Sequence, residues 1–317
     1  MEPSKVLLQD DTTSAMVEAG TAALAAAGIP TARLDAEVLL AHACGIDRAA
    51  LYCRWRSTVP TACRSHFDVL IARRQRHEPQ QYIVGHQEFW SLDLIVTPDV
   101  LIPRPETELL IELALTKLAR KAPAPSRFSI PLGEATLKFP LPLGESQGDA
   151  SLRLCDLGTG SGCIAVALAR ELPQIQVWAL DISEAALDVA QLNAQRHSVA
   201  DRIRFLASDG FSAASGLRFD AIFCNPPYVP SGELQRAQPE LAWEPRHALD
   251  GGPNGLTVIQ RIVAEAPRYL TERGWLLMEI GADQGPAVER LARSARFGSV
   301  SVRSDYAGLP RALVAQR

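Results

Sequence analysis

The chain has few cysteines and no pattern among them. The six stand at 44, 53, 63, 155, 163 and 224, with no CxxC pair and no histidine cluster to complete a metal set. That excludes a disulfide framework and a zinc site as expectations and leaves buried thiols of a reducing compartment. Long apolar runs are also missing. No stretch approaches the ~18 uninterrupted apolar residues of a membrane span. The opening MEPSKVLLQDD is acidic where a signal or transit peptide would be basic. Positive charge is not in excess, since 32 Lys and Arg against 36 Asp and Glu leave a net −4. Sequence-independent nucleic-acid binding needs many phosphate-neutralising cations and is disfavoured. No internal repeat is visible. The expectation is a soluble cytoplasmic protein, a monomer, with no metal and no direct nucleic-acid or membrane partner.

What the chain does have is length and apolar content. Its 317 residues, 47% hydrophobic, favour two domains with sizeable cores. Residues 1–80 read as all-helical, with helices expected at Thr12–Ala27, Ala32–Cys44, Arg48–Arg56 and Thr61–His77. Gly28-Ile29-Pro30 and Gly45 act as stops. Arg73, Arg74 and Arg76 close the fourth helix, where positive charge suits the dipole and solvent. From Tyr82 to Thr97 the period changes, and short β-type runs around Gly85 and Ser91 suggest a hairpin. Pro105 is placed to open a helix running to about Arg120. Residues 121–150 hold five prolines and three glycines and read as a disordered loop, with a weak hairpin near Phe128–Ile130 and Leu137–Phe139. From Leu152 onward strand and helix alternate, which predicts an α/β domain with a mostly parallel sheet and helices on both faces. The boundaries expected are therefore 1–80 helical, 81–99 hairpin and 100–317 catalytic. Ligands in such sheets bind at the carboxyl ends of the strands, near the switch point.

Three signals fall at such ends. Gly158-Thr159-Gly160-Ser161-Gly162 closes one strand and opens a helix. Its glycines let backbone approach a ligand, and the helix start favours an anionic group. The dinucleotide fingerprint is GxGxxG; here the third glycine comes one residue early. That form resembles the loop of S-adenosylmethionine (SAM) methyltransferases, and a nicotinamide cofactor stays open on this motif alone. Asp181 ends the next strand, where a carboxylate can accept from ribose hydroxyls. The alternative is that Asp181 or Ser183 caps the following helix. Asp209 follows the third strand and is placed to meet an adenine amino group. Asn225-Pro226-Pro227-Tyr228 follows the strand FDAIFC. Adjacent prolines fix the backbone and remove donors, so carbonyls and the Asn oxygen remain as acceptors. That suits a planar NH₂ group, with Tyr228 able to pack on its flat face; a plain turn is the alternative. The acceptor is then adenine, cytosine or a glutamine amide. Cys163, Cys224, Trp90 and Trp275 read as packing residues.

Taken together, the chain resembles the protein-(glutamine-N5) methyltransferases that modify peptide-chain release factors, the HemK/PrmC family. The resemblance runs over nearly the whole length. It includes Arg33-Leu-Asp-Ala-Glu37, Gly85-His-Gln-Glu-Phe-Trp90, Leu101-Ile-Pro-Arg-Pro-Glu-Thr-Glu108, Glu244-Pro245, Leu249-Asp-Gly-Gly252 and Asp305-Tyr-Ala-Gly308. It implies a small N-terminal helical domain, a hairpin linker and a Rossmann-like SAM-binding domain. It implies methyl transfer to the glutamine of the Gly-Gly-Gln motif of class-1 release factors. The cofactor would be held by Gly158 to Gly162, Asp181, Asp209, Gly210 and Asn225, and the substrate amide by Asn225 to Tyr228. A sister family methylating a large-subunit ribosomal protein shares the NPPY site but departs from PRPETE. DNA adenine methyltransferases usually add a basic recognition domain, whereas residues 1–85 hold nine Lys or Arg and nine Asp or Glu. Two departures stand out: the long 121–150 segment, and Gly210 followed by Phe211 where many members carry an aromatic directly after the acid.

Overall fold

The computed structural model describes residues 11–118, 129–132, 135–138 and 151–317. The chain divides into two compact units. One runs to His86 and takes in Gln238–Trp243; the other holds the remainder from Gln87.

The first unit is helical: α1 (Thr13–Ala26), α2 (Ala32–Ala43), α3 (Arg48–Cys53), α4 (Thr61–Arg74) and α5 (Gln80–Val84). Thr12 and Asp47 cap α1 and α3 through side-chain oxygens that accept from Ala15 and Ala50. Val17, Leu24, Leu39, Leu40, Leu51, Phe67 and Leu70 form its core. Of the arginines at the end of α4, Arg76 is exposed as expected, but Arg74 is not solvated. Arg74 is only 5% exposed. Its guanidinium donates to Asp35 at 2.7 Å and to Glu240 at 2.9 Å, while Arg73 pairs with Glu78. Charge so deeply buried persists only with such partners.

Two differences from the expected hairpin follow. Residues 80–84 are helical, and Gly85 ends that helix in the left-handed region at φ 81°. The hairpin is then β1 (His86–Phe89) and β2 (Leu92–Ile95). Its turn residues Trp90 and Ser91 have φ of 53° and 57°, the positive values that a two-residue turn matched to strand twist requires. Trp90 packs partly buried against the core, as expected, and its polar groups are paired as well. Its backbone N–H donates to Glu108 and its indole N–H to Glu171, each at 2.8 Å.

In the second unit a short 3₁₀ turn, Pro105–Thr107, leads into α6 (Glu108–Leu118). The expected continuation to Arg120 and the loop character of most of 121–150 lie outside the described residues. Within that stretch β3 (Ser129–Leu132) and β4 (Ala135–Lys138) pair antiparallel. The main sheet follows: β5 (Leu152–Leu157), α7 (Cys163–Glu171), β6 (Ile175–Asp181), α8 (Glu184–Arg196), β7 (Ile203–Ala207) and β8 (Phe219–Cys224). Then come α9 (Thr257–Glu265), β9 (Leu270–Glu279), α10 (Gly285–Ser294), β10 (Ser299–Ser304) and β11 (Pro310–Gln316). The seven strands order as β10-β11-β9-β8-β5-β6-β7. All neighbours are parallel except β11, which runs antiparallel to both β9 and β10. This is the Rossmann-like α/β architecture expected from the alternation. Parallel strands buried on both faces read as apolar runs, and β5, β6 and β8 do so. One core lies on each face of the sheet. The order reverses between β5 and β8, where Leu157 and Cys224 are register partners. The glycine loop and Asn225 therefore leave the sheet side by side.

Candidate active site

At this switch point a cavity of about 380 Å³ opens. Gly158, Thr159, Gly160 and Ser161 line it, with Asp181, Asp209, Gly210, Asn225, Pro226 and Pro227. The structure thus brings together most of the residues singled out in sequence. Gly162 and Tyr228 are not among the lining residues. Gly162 backs the loop onto α8, where an added Cβ would stand 3.0 Å from Ala190.

The glycine loop is shaped by its neighbours on β6. Gly158 and Thr159 donate to the Leu180 carbonyl at 2.7 and 3.0 Å, and Gly160 donates to Asp181 at 2.8 Å. Gly158 and Gly160 have positive φ, and a Cβ on either would meet nothing within 4 Å. Ser161 Oγ and Asp156 Oδ1 are buried without a hydrogen-bond partner. Open space over bare backbone beside an orphaned hydroxyl fits a polar ligand head such as an amino acid group. Asp156 itself was missed as a site residue. Its Oδ2 accepts from Thr159 at 2.6 Å and from Ala165 at 3.1 Å. Burial pushes its carboxyl up to about 7, and the nearby Asp181 charge adds to this.

Asp181 lines the cavity, and of the two candidates for the cap of α8 it is not the one that serves. It braces the loop at Gly160 and accepts from Ser183 N at 2.9 Å, while the cap of α8 is Ser183, whose Oγ accepts from Ala186. Beyond Asp181, Ser208 N donates to its carbonyl at 2.7 Å, which sets the Asp209 loop beside it. Phe211 lines the cavity but is buried, stacked on Tyr269 with ring centroids 4.5 Å apart. Ile182, exposed and lining the cavity next to Asp181, gave no motif signal.

Behind Asn225 stand residues the motif reading passed over. Glu279, at the end of β9, is 1% exposed. Its Oε2 accepts from Thr107 Oγ1 at 2.6 Å and its Oε1 from Tyr228 OH at 3.0 Å. Burial raises its carboxyl above the usual range. Thr107 has one hydroxyl proton, and Glu279 takes it. Thr107 Oγ1 must therefore accept from Asn225 Nδ2, 3.1 Å away. That turns the amide nitrogen of Asn225 toward Thr107 and leaves Oδ1 as a free acceptor. Thr107 is placed by the quoted PRPETE stretch, which Glu244 pins by accepting from Ile102 N at 3.0 Å and pairing with Arg104. The Leu249–Gly252 motif backs the prolines, since a Cβ on Gly251 would stand 2.8 Å from the Pro227 carbonyl. Burial pushes the Cys163 thiol up to about 12 and the Cys224 thiol up as well, so both fit packing rather than nucleophilic roles.

Comparison with known proteins places the chain by family and fold. Residues 15–85 match the model of the PrmC N-terminal domain and residues 143–252 that of the methyltransferase small domain. The catalytic domain of hMettl16 in complex with MAT2A 3'UTR hairpin 6 shares the fold, with a TM-score of 0.53 at 15% identity over 78% of this chain and 81% of that one. Fold and site define a Rossmann-like methyltransferase. The release factor glutamine methyltransferase of Moorella thermoacetica is 40% identical over 295 residues, 93% of this chain and 94% of the relative. That of Pseudomonas aeruginosa is 41% identical over 287 residues, 90% and 93% of the two chains. The chain belongs to the release factor glutamine methyltransferase family. Among the described residues, no helix is long and apolar enough to cross a membrane.

Proposed function

We propose that the protein transfers a methyl group from SAM to the side-chain amide nitrogen of a glutamine in class-1 release factors, within a Gly-Gly-Gln motif, in the cytoplasm. The observation that carries this reading is the chain Glu279, Thr107, Asn225, which presents a fixed amide oxygen beside the glycine loop.

Gly158 to Ser161 would hold the amino acid part of SAM, Asp181 its ribose and Asp209 its adenine amino group. Bound SAM supplies an electrophilic methyl on a positively charged sulfur. On the acceptor side, Asn225 Oδ1 and the Pro226 carbonyl take the two amide hydrogens of the glutamine and aim its nitrogen. An amide nitrogen is a poor nucleophile, so the rate rests on alignment, for which oriented reactions gain about 7–11 kcal/mol. The same two oxygens stabilise positive charge as it develops on nitrogen. Both Glu279 oxygens are engaged, by Thr107 and Tyr228, so Glu279 orients rather than acts as a base. The amide proton leaves to water after transfer. Tyr228, anchored on Glu279 but outside the cavity lining, would reach the flat face of the amide only from behind the prolines.

The test is radiolabel transfer from SAM to a release-factor fragment containing Gly-Gly-Gln. One methyl per fragment is expected, none on the Gln→Ala fragment and none on duplex DNA. Label in DNA, or in a large-subunit ribosomal protein, with an unlabelled fragment overturns the assignment.

A further inference from the structure

Asp209 does not stand alone at its end of the cavity. Arg261 of α9 donates through Nη1 to Asp209 Oδ1 at 2.7 Å and through Nη2 to the Asp209 carbonyl at 3.4 Å. Its Nε donates to Glu265 Oε1 at 3.2 Å, so carboxylates hold the guanidinium from two sides. Gly210 lets the group come this close: a Cβ there would stand 3.0 Å from Arg261 Nη2. Arg261 and Glu265 both line the cavity.

The placement follows the sheet. Asn225 leaves β8, the glycine loop β5, Asp181 β6, and Asp209 follows β7, and these four strands are consecutive neighbours. A nucleoside whose reactive end faces Asn225 and whose ribose meets Asp181 must carry its base toward Asp209 and α9. One Asp209 oxygen is then committed to Arg261 and the other is left to accept.

We propose that Arg261 is a positioning residue for base recognition, fixing the Asp209 carboxylate so that its free oxygen accepts from the exocyclic amine of adenine. The inference rests on the SAM reading above. The pair is half exposed and contributes little to stability, so its effect is on selectivity. The planar guanidinium reaches the Asp209 carboxylate through one nitrogen and the Asp209 main-chain carbonyl through another, which ties the side chain to its own backbone in a way a flexible ammonium does not.

The experiment is calorimetric titration of the full chain with S-adenosylhomocysteine and with its 6-deamino analogue, which carries hydrogen in place of the amine. The unaltered protein is expected to prefer S-adenosylhomocysteine by about tenfold, the scale of one charge-assisted hydrogen bond. Arg261→Ala is expected to weaken S-adenosylhomocysteine about fivefold, leave the analogue nearly unchanged and keep the melting temperature. Arg261→Lys is expected to recover only part of the preference. If Arg261→Ala keeps the full preference, the inference is overturned. If the unaltered protein binds neither compound, the SAM reading fails instead.

Discussion

At the scale of single residues, the proposed acceptor site hangs on the Thr107 hydroxyl, which links Asn225 to Glu279. Thr107→Val keeps shape but removes both the acceptor for Asn225 and the donor to Glu279. Turnover of the release-factor fragment is expected to fall at least about tenfold, the effect of one lost positioning hydrogen bond of ~1.4 kcal/mol, with SAM affinity retained. Asn225→Ala is expected to lose most turnover and also retain SAM affinity. Equal loss of turnover and affinity in isothermal titration would make Asn225 a cofactor or folding residue. Asp156 yields a pH prediction. Its carboxyl is raised from 3.8 to about 7, so the native state holds this proton more tightly than the unfolded chain does. The stabilisation is fully present below 3.8 and is lost as pH rises toward about 7. The loss runs at up to about 1.4 kcal/mol per pH unit. Melting curves of the ligand-free protein should therefore fall relative to Asp156→Asn across that window; parallel curves refute the buried-proton account. Asn225 was legible in sequence because two prolines and an aromatic mark its place. Glu279 was not, since a lone Glu ending an apolar strand carries no local signal and becomes informative only when β9 lies beside β8.

At the scale of elements, α8 joins the hairpin to the candidate site. Asn193 is fully buried; its Oδ1 accepts from Ile95 N at 2.7 Å, and its Nδ2 donates to the Ile95 and Ser161 carbonyls at 2.9 and 2.8 Å. It ties the hairpin to the glycine loop. Asn193→Ala leaves three backbone groups unpaired and is expected to cost about 2–4 kcal/mol, with weaker SAM binding from a loosened loop. Denaturant melts and SAM titration check both effects; a stable variant with normal SAM affinity would refute the clamp. The helices and strands themselves were largely readable: the strand FDAIFC stands as β8, and Ser183, one of the two cap candidates, caps α8. The hairpin was read less well. Tyr82 and Ile83 are apolar and β-prone, yet Gln80–Val84 forms a helix whose Tyr82 and Ile83 side chains are buried. Tertiary packing overrides propensity in so short a segment.

At the scale of the whole molecule, the 121–150 segment is expected to be dispensable for chemistry, because none of the motif residues falls in it. Deleting residues within 123–148 should leave kcat/KM near normal on both the peptide and the intact factor. A collapse on the intact factor alone would make the segment a docking element. Charge belongs to this scale too: a net −4 suits a protein substrate, which brings no phosphate backbone to neutralise. The order of glycine loop, Asp181, Asp209 and Asn225 along the chain, each after an apolar run, was enough by itself to indicate an α/β fold with a candidate site at the strand ends. Those signals are local, because turns, caps and close backbone approaches need particular residues at fixed spacings. The fold groups Gln238–Trp243 with the helical unit rather than with its sequence neighbours and pairs Glu240 with Arg74, and no local pattern announces that. Nor does any announce that Thr107, Asn225 and Glu279, up to 172 residues apart, form one hydrogen-bonded chain. Tertiary structure decided these, because a buried carboxylate or guanidinium takes whatever partner the packed fold sets within reach, whatever its distance along the chain.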